Sequence, residues 1–350
     1  MKLHRPRPAT ARPLVSVVVP CYNYGHFLPE AVESALTQTG VELEVIIVDD
    51  CSTDDSATVA EALAAQHPEV TLIRNPVNLR HIATYNVGLA ATTGDFVVLL
   101  SADDLLAPGA LARAAAVFMA HPEVTLVYGQ AVTFHERPLP DPEPARSWST
   151  WQGHEWVTHS CRNTGNLIVN PEAIVRRSVL DRVGGYDPTF PHAADMLLWL
   201  QAACLGDVAR VNGTQAYYRD HGGNMHLTDY AGLLTDMGER RNLLDAFLTD
   251  GLGAAIPDAA GLRDAAHRTF ARESLRYALH ELDGAGHPDQ VDALVDFAVE
   301  TWPGVRRTRL WAAVARRQRG RVPAWRAQAA RRVFALRWAL RWQRRHRWGT

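Results

Sequence analysis

The run Phe96–Leu100 is apolar throughout, and Asp103 and Asp104 follow within four residues. Adjacent carboxylates repel, and desolvating them at the mouth of a core costs more still. The pair therefore demands a cation or strong hydrogen-bond donors. A divalent metal answers that demand, because carboxylate oxygens are hard ligands suited to magnesium or manganese rather than zinc. The competing local role is capping of the helix that opens near Pro108, which accounts for one carboxylate more easily than two. A second acidic stretch, Val48–Asp54 (VDDCSTD), also closes an apolar run and opens a helix. One of Ser52, Thr53 and Asp54 is expected as its N-cap. Asp49 and Asp50 are then left to accept hydrogen bonds from a ligand, such as a pyrimidine imide or a ribose hydroxyl.

Short β-branched runs at Leu14–Val19, Glu44–Val48, Val70–Ile73, Phe96–Leu100 and Val124–Tyr128 predict strands, several of them buried on both faces. Helical patterns lie between them, at Leu28–Thr37, Asp55–Gln66, His81–Ala91 and Pro108–Ala120. This alternation predicts an α/β fold: a Rossmann-like, mostly parallel sheet flanked by helices. The first, second and fourth strands end in CYN, DDCSTD and SADD. Ligands of open α/β sheets bind outside the carboxyl ends of strands, so these three loops should share one site. His135–Trp156, rich in proline, acids and tryptophan, is expected as a long loop serving as a functional lid. From Tyr230 to Thr301 apolar residues recur at helical spacing, which predicts a helical appendage.

Several chemistries lose their usual support. Neither a P-loop, a dinucleotide-binding G-x-G-x-x-G nor a G-x-S-x-G elbow occurs. The four cysteines are dispersed and match no disulfide scaffold or zinc site, which fits a reducing cytosol. Residues 1–13 are basic and proline-broken and are expected to be a disordered tail. No apolar run is long enough to span a membrane.

The blocks VSVVVPCYN, EVIIVDDCSTD, YNVGLAATTGDFVVLLSADD and VGGYDP with DMLLWL, in this order, resemble glycosyltransferase family 2 over about residues 13–225. That resemblance implies a GT-A fold and transfer of a sugar from a nucleotide-diphosphate donor, UDP- or dTDP-linked, to an acceptor hydroxyl with inversion. It implies that Asp50 contacts the base, with Asp49 beside it and Pro20 and Tyr22 lining the pocket. It implies Mn2+ or Mg2+ held by Asp103 and Asp104, with Asp103 also meeting the donor and His221 of YRDHGGNM a further ligand. Where the family commonly has Arg before the Asn of its third block, this chain has Tyr85 before Asn86, leaving Arg80 or His81 to reach the donor. Ser101 stands where a leading Asp is frequent. In the E-D pair that supplies the base, Ala194 replaces Glu while Asp195 remains. Each of these residues also has a plain local role. Asp195 suits the first turn of a helix, His221 suits a solvated loop, and Arg80 or His81 equally suits a solvated helix start. Without catalysis, the same blocks describe a sugar-nucleotide or glycan-binding relative. A sugar nucleotidyltransferase would want a glycine-rich, lysine-bearing loop after the first strand, which CYNYGHFLPE lacks.

The net charge of −2 hides an asymmetry: from residue 305 onward there are 15 arginines and no acidic residue, against 21 basic and 38 acidic residues before it. Val322, Trp325, Ala329, Val333, Leu336 and Leu340 fall on one helical stripe and Phe334, Trp338 and Trp342 on another. A basic, tryptophan-rich helix of this kind suits an anionic membrane surface and, less well, nucleic acid; the first stripe also suits packing on the rest of the chain. The expected organisation is a tail (1–13), a catalytic domain (14–230), a helical appendage (231–304) and a basic amphipathic segment (305–350). The expected acceptor is a glycan or lipid-linked hydroxyl, no nucleic-acid partner is expected, and the expected location is cytoplasmic and peripheral at the inner membrane face.

Overall fold

The computed structural model describes residues 1–136, 139, 142–224, 232–285 and 289–319, together with 332, 333, 336 and 340. Two compact units emerge. One comprises residues 1–157 and 168–229, and the other residues 158–167 and 230–350. One division falls near residue 230, and residues 158–167, although inside the stretch read as catalytic, group with the helices of the second unit.

The first unit is built on a ten-stranded sheet whose principal order is β1-β8-β10-β7-β9-β5-β2-β3-β4, with β6 on β10. Four strands form its parallel half: β2 (Leu14–Cys21), β3 (Glu42–Asp49), β4 (Val70–Arg74) and β5 (Phe96–Leu99). Alternate residues explain why these runs are apolar on both faces. Val17, Val19, Val45, Ile47 and Val98 join one core with α1 (Leu28–Leu36) and α4 (Ala110–Ala120). Val18 and Val48 face the opposite layer, where α3 (Arg80–Ala90) comes so close that a Cβ on Gly88 would lie 2.3 Å from Val18 Cγ1. The remaining helix of this half, α2 (Ser56–Gln66), packs along β3 and β4.

The other half is mixed. Strand β9 (Ile174–Arg176) runs antiparallel to both β5 and β7 (Val124–Phe134), while β10 (Asp207–Arg219) is parallel to β7. Strand β6 (Leu105–Leu106) follows the aspartate pair and lies antiparallel to Ala216 and Tyr217 of β10. Two expectations fail here. Within the supposed lid, Trp148–Trp151 is β8, a buried strand antiparallel to β10, because its aromatic and β-branched side chains suit a sheet. Within the supposed disordered tail, Lys2–His4 is β1, which pairs with β8 from Lys2↔Thr150 to His4↔Trp148. An adjacent unpaired strand edge offered that segment its hydrogen bonds.

Chain between the strands supplies α5 (Gly153–Asn163), whose residues divide between the two units, then α6 (Arg177–Val183) and α7 (Ala194–Leu205), the last buried almost all round. The second unit is helical, as its periodicity predicts: α8 (Leu233–Thr249), α9 (Ala259–His280), α10 (Asp289–Thr301) and α11 (Arg309–Arg319). Val305 and Val314 are buried against Ala271, Leu275 and Ala298. Of the two stripes expected beyond residue 320, Val333, Leu336 and Leu340 are described, and all three are exposed; the other stripe residues lie outside the described residues. Among the described residues no helix is long and apolar enough to cross a membrane.

Candidate active site

The loops after β2 and β3 meet directly. The Asn23 N–H donates to Ser52 Oγ at 3.1 Å, and Asn23 Oδ1 accepts from the Thr53 N–H at 2.8 Å. Asp54 accepts from the Gly25 and Ser56 N–H groups as a turn residue, whereas the N-cap of α2 is Asp55 and none of the three residues expected there. Burial raises the Asp54 carboxyl, but its hydrogen bonds outweigh that and hold it below the usual range. Asn23, Cys51 and Arg80 all have φ near +60°. Such conformations are costly for residues with a Cβ and gather where a binding loop is held in one shape.

Asp49 and Asp50 part company because successive strand residues face opposite ways. Asp49 lies beside its register partner Cys21, whose thiol burial pushes up to about 11, with Asp49 and Asp54 adding to the shift. Asp50, 3% exposed, accepts at Oδ1 from the Asn75 side chain and the Leu79 N–H, both at 2.8 Å. It thus fixes the segment after β4 from which α3 springs. Pro20 is half-buried one residue before the end of β2, and Tyr22 just beyond the strand is 45% exposed. Arg80 is exposed, with its N–H on Asn78 Oδ1.

Asp103 and Asp104 are both buried. Asp104 Oδ1 accepts from the Arg219 N–H at 2.9 Å. Burial, and then the neighbouring Asp103, push the Asp104 carboxyl well above the usual range, with the Arg219 N–H and charge pulling the other way. Asp103 Oδ2 accepts from His221 Nε2 at 3.0 Å, and His221 Nδ1 accepts from the Gly223 N–H at 3.1 Å. This pattern defines the Nε2–H tautomer and occupies both ring nitrogens. The Tyr24 and Phe27 rings flank the imidazole at 5.5 and 5.1 Å.

The three expected metal ligands therefore do not form one ready cluster. Among the described residues no three His, Cys, Asp or Glu side chains are grouped to hold an ion. His221 serves instead as the hydrogen-bond partner of Asp103. The pair still fits a hard divalent cation, for magnesium and manganese commonly take one or two carboxylates and complete their shell with waters and substrate phosphates. A cation would also relieve the repulsion that raises Asp104.

A separate set of contacts organises the segment that carries Asp195. Asn86 on α3 holds Tyr186 by its backbone, Nδ2 donating to the carbonyl and Oδ1 accepting from the N–H, each at 2.8 Å. Gly185 permits that approach: its φ is +93°, and a Cβ there would lie 2.5 Å from Asn86 Oδ1. His81 donates to the Pro191 carbonyl at 2.9 Å, and Tyr85 meets Tyr186 edge to face at 5.5 Å. Both ends of the Asn86 amide are thus spent on the chain, and Tyr85 packs at the position where the resemblance puts a common arginine. Asp195, half-buried in the first turn of α7, accepts from the Met196 N–H at Oδ1 and lies close enough to Tyr186 to raise its phenol, after burial. Trp199 and Leu200 are buried core.

Sequence reasoning missed Arg219 and Glu30. Arg219 Nη2 pairs with Glu30 Oε2 at 2.6 Å across 189 positions of sequence. The proximity of Arg219 to His221 in YRDHGGN was the available signal.

Residues 16–184 match the family model for glycosyl transferase family 2. An uncharacterized glycosyltransferase of Nostoc sp. is 32% identical over 221 residues, 61% of this chain and 67% of the relative. Among solved structures, S. aureus TarS 1-349 in complex with UDP-GlcNAc superposes with a TM-score of 0.63 at 17% identity, covering 92% of this chain and 91% of that one. Mannosyltransferase PcManGT from Pyrobaculum calidifontis, in complex with GDP-Man and Mn2+, superposes with a TM-score of 0.52 at 21% identity, covering 90% and 89%. The structural likenesses establish the fold, and with the sequence matches they lead to one conclusion: this chain belongs to glycosyltransferase family 2.

Proposed function

We propose that the chain transfers a sugar from a nucleotide-diphosphate donor to an acceptor hydroxyl, with inversion, in the assembly of a glycan or cell-envelope glycoconjugate. The observation that carries this reading is the buried Asp103–Asp104 pair, on the same edge of the sheet as Asp50. Both solved relatives above hold nucleotide sugars, one of them with Mn2+.

Asp50, Pro20 and Tyr22 are assigned to the nucleoside, with Asp49 behind them supporting the β3 end. The Asp103 and Asp104 carboxylates would hold Mn2+ or Mg2+, and His221 would orient Asp103. Bound there, the cation would offset negative charge on the departing diphosphate, an effect worth several kcal/mol. Asp195 is the proposed base. Its carboxylate takes the proton of the acceptor hydroxyl as that oxygen attacks the anomeric carbon, a contribution of about 100- to 10,000-fold. One base and no enzyme nucleophile imply direct displacement. Asn86 and His81 act by holding the Tyr186–Asp195 segment on α3, and Arg80 stands at the exposed start of that helix. The arginine-only charge of residues 305–350 supports a peripheral encounter with an anionic lipid surface bearing the acceptor, at the cytoplasmic membrane face.

A panel of UDP-, dTDP- and GDP-sugars tests the reading, with and without Mn2+, scored for thermal stabilisation, donor hydrolysis and transfer. The expected result is stabilisation by one nucleotide class and Mn2+-dependent turnover. Stabilisation without any turnover would favour the non-catalytic alternative that Ser101 and Ala194 raise. The absence of both would overturn the proposal.

A further inference from the structure

Arg219 is a buried cation beside two buried carboxylates, yet its guanidinium pairs with neither of them. Its Nε–H donates to the Asp103 backbone carbonyl at 2.8 Å, and its N–H donates to Asp104 Oδ1 at 2.9 Å. Its Nη2 goes the other way, to Glu30 in the first turn of α1, at 2.6 Å. The guanidinium meets two rings, with Cζ 4.5 Å from the Phe27 centroid and 4.6 Å from that of Phe134. Asn224, buried in the next turn, donates to the Arg219 carbonyl at 3.0 Å and accepts from the His221 N–H at 2.6 Å. The end of β10, the aspartate loop and α1 are thereby joined through one side chain.

Resting on the reading of Asp103 and Asp104 as cation ligands, we propose that Glu30 and Arg219 are positioning residues for the cation site. Arg219 fixes the aspartate loop by its backbone, and Glu30 draws the arginine's charge away from the carboxylates, preserving the negative field a cation needs. An arginine left without Glu30 would spend its charge on Asp103 and Asp104, in competition with the metal. The guanidinium fork and its contacts with both rings are features lysine cannot reproduce.

Glu30→Gln separates contact from charge, since the glutamine oxygen still accepts from Nη2. Mn2+ binding to the full chain is followed by electron paramagnetic resonance of the free ion, with UDP or GDP present, alongside transfer kinetics and urea midpoints. The expected result for Glu30→Gln is Mn2+ affinity reduced by about tenfold, within the range for partners of metal ligands. The urea midpoint should stay unchanged, and kcat at saturating Mn2+ should lie within about twofold of wild type. Arg219→Lys should fail to rescue the site, lowering both Mn2+ affinity and kcat. Wild-type Mn2+ affinity in Glu30→Gln would overturn the charge role, and wild-type behaviour of Arg219→Lys would overturn the positioning role. A wild-type chain that binds no Mn2+ with either nucleotide would instead overturn the reading of the cation site itself.

Discussion

The two halves of the sheet solve the same problem, burying strands on both faces, by different means. In the parallel half, Val17–Val19 of β2, Val45–Val48 of β3 and the whole of β5 are apolar, and the acids that could serve a ligand wait beyond the C-terminal ends of these runs, so the site begins where the core stops. The mixed half carries polarity inside its strands. Arg210 and Arg219 of β10 are buried, Glu172 sits in the turn before β9, and Asn212 bridges Ser147 and Ser149. The parallel half supplies acids in sequence-local clusters. The mixed half supplies the cation and imidazole that organise them, from far along the chain. The edge proposed to bind a diphosphate through a metal thus depends on a scaffold whose own buried charges must be matched first.

Disabling the acids themselves should give the largest effect. Asp104→Ala is expected to lower Mn2+-dependent transfer by about a thousandfold, consistent with several kcal/mol of lost charge stabilisation. Asp195→Asn should lower transfer by about 100- to 10,000-fold while leaving donor affinity, read by calorimetry, unchanged. Near-wild-type turnover in Asp195→Asn would remove it as the base.

Glu172 probes the mixed half. It is fully buried, and burial raises its carboxyl to about 8 despite the Val169 N–H and the Arg210 charge. A folded-state value above the unfolded one gives stability that is complete below about pH 4.5 and lost as pH rises through about 8. Glu172→Gln should therefore match wild type near pH 4.5 and gain on it by a few kcal/mol at pH 8, as read from urea midpoints across that range. A constant difference at every pH would contradict this.

Gly88→Ala probes the parallel half, where the new Cβ would press on Val18 Cγ1. A loss of about 1–3 kcal/mol is expected from overpacking. Smaller still, Asn86→Ala should cost about 1–2 kcal/mol from two backbone groups of Tyr186 left unmatched. Because that clamp holds the Asp195 segment, kcat should fall more than donor affinity; an equal fall in both would contradict the clamp.

The parallel half was legible because its period-two burial and turn residues are local: four of the five expected strands and all four expected helices appear as β2 to β5 and α1 to α4, and the fifth expected strand is β7 of the mixed half. Strand β8 was hidden because WSTW is short and follows a proline-rich stretch, and β1 because three residues become a strand only where β8 offers an edge. In the site, Asp50, Asp103 and Asp104 stood out as acids at the ends of apolar runs. The roles of His221 and Arg219 were not legible, because each depends on a partner more than 100 residues away. Residue chemistry alone did not separate Asp49 from Asp50; the family resemblance singled out Asp50, and in the structure the two have different partners.

The account rests on a cation gathered by the aspartates at the end of β5 beside the nucleotide edge of β2 and β3. Anomalous diffraction at the manganese edge, from crystals grown with Mn2+ and the nucleotide diphosphate that stabilises the chain, tests it most directly. The account predicts one strong peak against the Asp103 and Asp104 carboxylates, lost in Asp104→Ala. A peak elsewhere in the chain, or one that persists without Asp104, would contradict it.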